Sequence, residues 1–422
     1  MEDYRADLVR VAKDALDHTQ AGTLRLAPGV MELPASVYTD ERYFRDEMRQ
    51  VFRRIPLMLA AGCEIGQPGD YKTMDIAGVP ILLIRGRDGA ARAFLNVCTH
   101  RAATLAHGCG HAARLTCPYH GWTFNDRGKL VGIASRSDFG EVEMETKGLR
   151  EFPLLETAGL IWVVLDPGSQ LDIRAFLCGY DRLLGAFGLE NWHFVDRRIV
   201  QGEQCNWKLA FDAHMEFYHV PVLHKNSFGA NTCNKALYYF WGPHQRLVSP
   251  CTNSRPNADA AKAIRPDSKP DSAKFLKLLE KPEEEWPTEA MLVGEWIIFP
   301  NVSINSFYEG GRGVIISQIF PGAAPGESYT VLTYLAAEEP DERWRAKADG
   351  LCALLDKVVG TEDLHTSHGQ QHAMASGLVE TVSFGRNEGG LQDYHRWMAQ
   401  IMKASDTDLN GLFAKGHGLR AA

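Results

Sequence analysis

The hydrophobic pattern changes along the chain, and each change marks a predicted element. Near the N-terminus, apolar residues recur at helical spacing from about Arg5 to Asp17, which predicts an amphipathic helix. From about Asp46 to Pro167, short apolar runs alternate with turn residues, as in antiparallel β structure. Val79 to Ile84 and the run that ends before Cys98 flank a polar turn with two glycines, which predicts a hairpin that leads into Cys98.

The second half predicts helices, then an antiparallel sheet, then a helical tail. Leu171 to Leu189 has helical spacing, and the chain from Asp341 onward is mainly helical in pattern. Between them lie four apolar runs typical of strands, at residues 296–300, 302–307, 313–320 and 328–335. Arg255 to Glu285 is polar and proline-bearing, so we interpret it as a long mobile excursion that could serve as a lid.

Composition narrows the class of protein. A chain of 422 residues is long enough for two or three domains, and its net charge of −8 argues against nucleic acid as a partner. No run of about 18 apolar residues predicts a membrane span, and the acidic N-terminus lacks an apolar signal core. Nine scattered cysteines favour a reducing compartment. We therefore predict a soluble, cytoplasmic protein without a membrane partner.

The first chemical motif is Cys98-x-His100, followed after sixteen residues by Cys117-x-x-His120. Two thiolates and two imidazoles are the ligand set of a Rieske [2Fe–2S] cluster, in which the cysteines hold one iron and the histidines the other. Each loop supplies one ligand of each type. Structural zinc loops usually pair cysteine with cysteine and histidine with histidine, so the pattern favours the Rieske cluster over zinc.

The second motif contains His219 and His224, five residues apart. Two imidazoles and one carboxylate are the ligand set of a mononuclear Fe(II) that activates O₂. This spacing does not bring two side chains to one face of a regular helix, so we expect Pro221 to distort or end the helix there. The carboxylate must come from elsewhere, and Glu362-Asp363 in a later helical segment is the best source.

Several residues compete for these roles. His107, Cys109 and His111 lie between the two halves of the first motif, where a structural loop role is favoured over ligation. His214 could replace an iron ligand, although a pocket or core position is favoured, and Glu362 is the rival of Asp363. The cysteines outside these loops are expected to be small buried residues, namely Cys63, Cys178, Cys205, Cys233, Cys251 and Cys352.

Over most of its length the chain resembles the oxygenase (alpha) subunits of Rieske non-heme iron oxygenases. The matching motifs are Cys98-Thr-His100-Arg101, Cys117-Pro-Tyr-His120-Gly121-Trp122-Thr-Phe124, Asn206-Trp-Lys, Glu216-x-x-His219-x₄-His224, Glu362-Asp363 with Gln370-Gln371, and Tyr394-His-Arg-Trp397. The resemblance implies an α+β fold, with an antiparallel β Rieske domain and a helix-grip catalytic domain in which helices grip an antiparallel sheet. We expect an N-terminal helical arm at 1–45, the Rieske domain at 46–165 and the catalytic domain at 166–422.

The resemblance also assigns the site residues. It implies a [2Fe–2S] cluster on Cys98, His100, Cys117 and His120, and a mononuclear iron on His219, His224 and Asp363. Glu216 would bridge an iron-bound histidine to a Rieske histidine of the adjacent subunit in a homotrimer, with Asp212 as the less favoured bridge. A carboxylate beside a ligating imidazole also fixes its tautomer.

Two positions depart from the family pattern. Ala102 replaces a common glycine, which we expect to be tolerated if φ is negative there. Asp212-Ala213 replaces a common Glu-Asn pair before the bridging acid.

The expected function is that of a terminal oxygenase. It would use O₂ and electrons from NAD(P)H, delivered by a separate reductase with or without a ferredoxin, because the chain lacks a G-x-G-x-x-G fingerprint. The family-level substrate is small and largely apolar, aromatic or alicyclic, as in aromatic hydrocarbon catabolism. Oxidative O- or N-demethylation on the same metal sites is the first alternative. The second is an electron-transfer protein without oxygenase activity.

Overall fold

The computed structural model describes residues 4–227, 229, 233–249, 275–307 and 312–421. It divides into two compact units: unit 1 comprises residues up to Glu47, 174–188 and 192 onward, and unit 2 comprises 48–173 and 189–191. Residues 255–274 of the predicted excursion at Arg255–Glu285 lie outside the described residues. Cys251 also lies outside them. The domain limits drawn from the sequence remain a proposal.

The strands, in chain order, are β1 (Met31–Pro34), β2 (Leu57–Ala61), β3 (Asp70–Ile76), β4 (Val79–Arg85), β5 (Ala91–Leu95), β6 (Cys109–His111), β7 (Leu115–Thr116), β8 (Thr123–Phe124), β9 (Leu130–Gly132), β10 (Glu151–Phe152), β11 (Leu154–Thr157), β12 (Leu160–Val163), β13 (His193–Glu203), β14 (Leu237–Trp241), β15 (His244–Val248), β16 (Glu295–Ile298), β17 (Val302–Phe307), β18 (Gly313–Pro321), β19 (Glu327–Ala336), β20 (Thr381–Phe384) and β21 (Arg420–Ala421).

The α-helices are α1 (Tyr4–Ala21), α2 (Glu41–Glu47), α3 (Arg136–Phe139), α4 (Ile173–Leu177), α5 (Tyr180–Leu184), α6 (Trp207–Asp212), α7 (Val220–Leu223), α8 (Thr288–Met291), α9 (Glu342–Val358), α10 (Leu364–Ala375), α11 (Gly389–Lys403) and α12 (Asp406–Lys415). Single π-helical turns span Met48–Phe52 and Val359–Asp363. Among the described helices, none combines the length and the apolar character needed to cross a bilayer.

Unit 2 is an assembly of small antiparallel sheets. Its five-stranded sheet has the order β10-β5-β4-β3-β6, and two three-stranded sheets have the orders β11-β12-β2 and β7-β8-β9. The predicted hairpin is confirmed, because β4 pairs with β5 from Ile81 opposite Leu95 to Arg85 opposite Ala91. The two cysteines of the first motif lie in the hydrophobic core of this unit, among the side chains of Leu82, Phe94, Leu105, Leu115, Trp122 and Phe124.

Unit 1 is built on one eight-stranded antiparallel sheet in the order β13-β19-β18-β17-β16-β15-β14-β21. The four strands predicted after the excursion are confirmed as β16 to β19. Helix α6 packs against β18 and β19, and α10 packs against α6, so the helix before the second motif and the helix after Asp363 are layered on this sheet. The mixed helix and antiparallel-sheet fold class is confirmed.

The N-terminal helix is confirmed and extends beyond its predicted end. Leu8, Ala12, Ala15 and Leu16 are buried as the spacing predicted, and α1 contacts α5 and α8. The expectation of small buried cysteines outside the motifs is confirmed for Cys178, Cys205 and Cys352. It is wrong for Cys63, which is half-buried, and for Cys233, which is half-buried and disulfide-bonded.

Candidate functional site: two cysteine–histidine loops and a two-histidine, one-carboxylate cluster

The two cysteine loops of unit 2 have the same backbone geometry. The Cys98 carbonyl accepts a hydrogen bond from the Ala102 N–H at 3.0 Å, and the Cys117 carbonyl accepts one from the Gly121 N–H at 3.0 Å. The fourth residue after each cysteine is left-handed, with φ of 59° at Ala102 and 69° at Gly121. The condition of a negative φ, under which alanine would be tolerated at position 102, is therefore not met. Ala102 holds a conformation that favours glycine because its Cβ crowds the backbone there.

The four side chains of the first motif lie together. Cys98 and Cys117 are buried, and burial, together with the neighbouring Cys117, raises the pKa of the Cys98 thiol. The His100 and His120 rings lie 4.8 Å apart, and His100 stacks on Trp122 at 4.9 Å. Nδ1 of His120 is buried and has no hydrogen-bond partner among the described residues. A buried imidazole nitrogen without a partner and two buried thiols on the same pair of loops supply the donor chemistry that a Rieske cluster needs.

The competing residues of this loop face elsewhere. Cys109 and His111 are exposed on β6, which pairs with β3 at the edge of the sheet. Nδ1 of His111 hydrogen-bonds Oδ1 of Asp70 at 3.0 Å. This arrangement supports the structural loop role.

In unit 1, short elements place the second motif. Asn206 caps α6 by accepting a hydrogen bond from the Lys208 N–H at 2.9 Å. After α6 a 3-10 turn covers Ala213–Met215, and the chain is then extended at Glu216. His219 and His224 cap the two ends of the four-residue helix α7.

Pro221 acts differently from the prediction. It lies in the first turn of α7, where a missing N–H and a fixed φ are compatible with helix. It therefore does not distort a longer helix. The two histidines converge because one turn of helix separates them.

The second motif and Asp363 form a three-atom cluster. One ligand atom each from His219, His224 and Asp363 lies within 4.8 Å of the other two. Oδ1 of Asp363 is 3.2 Å from Nε2 of His224 and 3.8 Å from Nε2 of His219. Two imidazole nitrogens and one carboxylate oxygen at these separations fit a non-heme Fe(II).

A separate carboxylate holds each imidazole by its other nitrogen. Nδ1 of His219 bonds Oε1 of Glu216, and Oε2 of Glu216 accepts the His219 N–H at 3.0 Å. Nδ1 of His224 bonds Oε2 of Glu362 at 2.7 Å, and Ser227 Oγ donates to the same oxygen at 2.9 Å. Although burial opposes its charged form, hydrogen bonding to Asp363, then to Glu362, raises the pKa of His224. Both histidines thus present Nε2 to the cluster.

A π-helical turn, Val359–Asp363, places the two acids. It connects α9 to α10, and Asp363 is the residue before α10. Such turns are rare and often occur at functional sites. The sequence prediction found a helical segment here but missed the π turn, since apolar spacing carries no signal for it.

Asp212 lies in a separate buried network. Tyr38 OH donates to Oδ2 of Asp212 at 2.6 Å, and Nε2 of His395 bonds Oδ1 at 3.1 Å. The His395 ring stacks on Phe384 at 5.1 Å. Both carboxylate oxygens of Asp212 are therefore engaged inside unit 1, whereas Glu216 contacts His219 directly.

His214 is paired with an acid that the sequence prediction missed. Nδ1 of His214 bonds Oε1 of Glu295 at 3.1 Å, and Ser303 Oγ donates to the same oxygen. Burial disfavours the charged form of His214, but Glu295 and, more weakly, Asp363 raise its pKa. His214 lies outside the three-atom cluster of the described residues. The sequence signal for this pair was Glu295 itself, a single acidic residue at the start of the apolar strand β16.

Two family comparisons cover the two units. Residues 56–153 match the Rieske [2Fe-2S] domain, and residues 189–404 match the ring hydroxylating alpha subunit (catalytic domain). The chain belongs to the Rieske-type ring-hydroxylating oxygenases. Together the two matches imply a Rieske cluster and a mononuclear iron in this chain. An electron-transfer Rieske protein without a catalytic domain is inconsistent with the second match.

Relatives of this Rieske oxygenase include subunits of two named monooxygenases. The carnitine monooxygenase oxygenase subunit of Escherichia coli (strain K12) is 34% identical over 385 residues, which cover 88% of this chain and 94% of the relative. The glycine betaine monooxygenase oxygenase subunit of Chromohalobacter salexigens is 35% identical over 222 residues, 52% of this chain. That second alignment spans about half of the relative, 48% of its length.

Solved structures share the fold of this Rieske oxygenase. A quaternary ammonium Rieske monooxygenase in complex with L-carnitine has a TM-score of 0.68 at 22% identity, covering 88% of this chain and 95% of that one. Naphthalene 1,2-dioxygenase from Rhodococcus has a TM-score of 0.68 at 17% identity, covering 94% and 98%.

Proposed function

We propose that this chain is the terminal oxygenase of a multicomponent system that oxidises a small quaternary ammonium compound. It would take O₂ and electrons from NAD(P)H through a separate reductase. The observation that carries the proposal is the convergence of His219, His224 and Asp363 within 4.8 Å, in a chain that also carries paired Cys–His loops. The pairing of these two donor sets is typical of oxygenases that receive electrons one at a time.

The proposed ligands follow from the donor atoms. Cys98, His100, Cys117 and His120 would hold the [2Fe–2S] cluster, and His219, His224 and Asp363 would hold the iron. When bound, the two metal groups supply one-electron transfer and O₂ activation. The protein orients the imidazoles: Glu216 and Glu362 accept from the Nδ1 atoms, so that each Nε2 is directed toward Asp363, where it would ligate the iron.

Glu216 has a second proposed role, as the bridge between subunits of a homotrimer. Both of its oxygens are within hydrogen-bond distance of His219, and its side chain is about one-tenth exposed. Asp212 is the weaker candidate because Tyr38 and His395 engage both of its oxygens.

The substrate proposal departs from the apolar compound expected from the sequence. The two relatives described above are named for glycine betaine and carnitine, and neither supports a role in aromatic hydrocarbon catabolism. Both compounds carry a trimethylammonium group. Oxygen insertion into an N-methyl C–H bond would give an N-hydroxymethyl group, which collapses by C–N cleavage to formaldehyde, a tertiary amine and a proton. Insertion into a C–H bond of the chain carbon beside nitrogen would collapse in the same way to trimethylamine, an aldehyde and a proton. The first of these reactions is the oxidative demethylation weighed above as an alternative.

A product screen tests the proposal. Iron-loaded, chemically reduced protein is exposed to O₂ with L-carnitine, glycine betaine, other methylated amines, arenes and apolar acids, and products are identified by mass spectrometry. The His219→Ala variant is the blank. We expect formaldehyde or trimethylamine from at least one quaternary ammonium compound and none from the blank. Turnover of arenes alone would refute the substrate class, and cluster reoxidation at the blank's rate with every compound would refute the oxygenase.

A further inference from the structure

Glu295 is a carboxylate in the otherwise apolar strand β16, and it is 8% exposed. Its Oε1 atom accepts hydrogen bonds from Ser303 Oγ on β17 and from Nδ1–H of His214, at 3.1 Å for the latter. These partners fix the orientation of the carboxylate. Neither is a permanent cation, and among the ion pairs of the described residues Glu295 has no lysine or arginine partner.

The second oxygen of Glu295 is left open. Oε2 makes no hydrogen bond within the described part of the chain. It is also not one of the fully buried polar atoms, because those without a partner do not include it. Some of its surface is therefore accessible to water. Its partner His214 keeps 24% of its side-chain surface accessible. Solvent therefore reaches both members of the Glu295–His214 pair.

The Glu295–His214 pair lies near the proposed iron ligands. The 3-10 turn that carries His214 packs against β16 and leads within five residues to His219. The Asp363 carboxylate is close enough to His214 to act on its charge. Glu295 Oε2 is thus an open carboxylate oxygen near the proposed iron ligands, where a substrate of the iron would bind.

We infer that Glu295 is the counter-ion of the cationic nitrogen of the substrate, positioned by Ser303 and His214. The inference rests on the proposed function and assigns a specificity residue within it. A mostly buried carboxylate whose basic partner is a histidine rather than a permanent cation is left uncompensated whenever His214 is neutral, so the site favours a ligand that brings a positive charge. A trimethylammonium group donates no N–H, and therefore needs a nearby negative charge rather than a directed acceptor. One open oxygen meets that need.

A structural clamp is the rival explanation, in which the Glu295–His214 bond only ties the 3-10 turn to β16. The clamp predicts that Glu295→Gln lowers thermal stability and leaves ligand charge selectivity unchanged. The counter-ion role predicts a loss of selectivity for charge, whatever happens to stability.

The experiment compares two ligands of the same shape. Glycine betaine and 3,3-dimethylbutanoate share a carboxylate and three methyl groups, and they differ in having a cationic nitrogen or a neutral carbon at the quaternary centre. Binding to the iron- and cluster-loaded protein is measured by calorimetry. We expect the wild type to bind glycine betaine about tenfold more tightly or better, and Glu295→Gln to reduce the ratio to about twofold, because one charge–charge attraction is removed. Iron content and the visible spectrum of the cluster should not change.

Three variants complete the test. His214→Asn keeps a donor near the Nδ1 position and should retain the preference for the cation. Glu295→Asp keeps the charge and should also retain it, which covers the case in which Glu295→Gln folds poorly. Glu289→Gln changes a half-exposed acid that pairs with Arg312 and should behave as the wild type.

The outcomes separate this inference from the proposed function. If the wild type oxidises a quaternary ammonium compound and Glu295→Gln keeps the full preference for glycine betaine, the counter-ion assignment is wrong and the function stands. A wild type that binds both ligands equally also overturns the assignment. If the wild type oxidises only neutral compounds, the proposed function itself has failed.

Discussion

Glu362 and Asp363 are adjacent in sequence and face different nitrogens of the same imidazole. Glu362 Oε2 lies 2.7 Å from Nδ1 of His224, and Asp363 Oδ1 lies 3.2 Å from Nε2. A ligating histidine binds the metal through one nitrogen and donates through the other. The two acids therefore have separate proposed roles, Asp363 as ligand and Glu362 as the group that orients the imidazole.

Replacing each acid should separate these roles. Asp363→Ala should lose the mononuclear iron and keep the visible spectrum of the cluster, since unit 2 is unchanged. Glu362→Gln should retain the iron site but weaken iron affinity by about 10- to 100-fold, as expected when a carboxylate behind a ligand is removed. Iron per chain and the visible spectrum check both. Full iron retention in Asp363→Ala would transfer the ligand role to another acid.

His244 gives a prediction about pH. Its ring is fully buried, Nε2–H donates to the Phe176 carbonyl at 3.0 Å, and Nδ1 accepts the Phe299 N–H at 3.2 Å. Burial lowers the pKa of His244 to about 4. Between pH 6.5, the usual pKa of histidine, and pH 4, His244 is protonated in the unfolded chain but neutral in the folded chain. The free energy of unfolding therefore decreases as the pH falls through this range, by up to about 3 kcal/mol.

The matched variant is His244→Gln, whose amide can donate and accept but does not titrate. We expect the denaturation midpoint of the wild type to fall more steeply than that of the variant between pH 6.5 and 4. Parallel pH profiles would show that His244 does not titrate in this window.

At the level of elements, the equivalent turns of the two cysteine loops carry a stability prediction. Ala102 has φ of 59° where Gly121 has 69° in the other loop. Ala102→Gly should relieve the crowding of Cβ, a gain offset in part by the greater freedom of glycine in the unfolded chain. We expect a net gain of about 0.5–1 kcal/mol.

The measurement is the temperature at which the cluster absorbance is lost. Ala103→Gly is the control, because Ala103 is absent from the residues with positive φ and should be destabilised by the same change. If both variants lower that temperature, the strain assigned to Ala102 is absent.

Elements with a regular period could be predicted, and those that break the period could not. The strands β16 to β19 and the hairpin β4–β5 follow from alternating apolar runs between turns. The π turn at Val359–Asp363 and the one-turn helix α7 do not, because each depends on a local backbone choice that apolar spacing does not encode. Pro221 is an example. The sequence showed that proline restricts a helix at this position, but whether the helix ends or begins there depends on the turn before it.

For the whole molecule, the proposed bridge connects two subunits. When it is loaded with excess iron to offset the weaker affinity expected without the carboxylate behind His219, Glu216→Ala should retain both metal sites. Single-turnover oxidation of the cluster should no longer yield product, because that carboxylate is also the proposed link. Glu216→Asp is the control and should keep part of the yield. Normal product in Glu216→Ala would remove Glu216 from the electron path.

The metal chemistry was visible in the sequence, whereas the substrate class was not. The ligand motifs are short runs of sequence, and their cysteine, histidine and carboxylate residues indicate which metal groups they bind. The proposed counter-ion Glu295 is placed by Ser303 and by His214, more than eighty residues before it. The proposed role of Glu295 can be recognised only in the folded chain, where the sheet brings these distant residues together.

The carboxylates behind the two proposed iron histidines have a consequence for how the chain would compete for scarce metal. Because Glu216 and Glu362 hold the imidazoles by Nδ1, the protein itself supplies part of the orientation that the iron needs. We expect a chain with both carboxylates to load iron at lower iron concentrations than a chain that lacks either one.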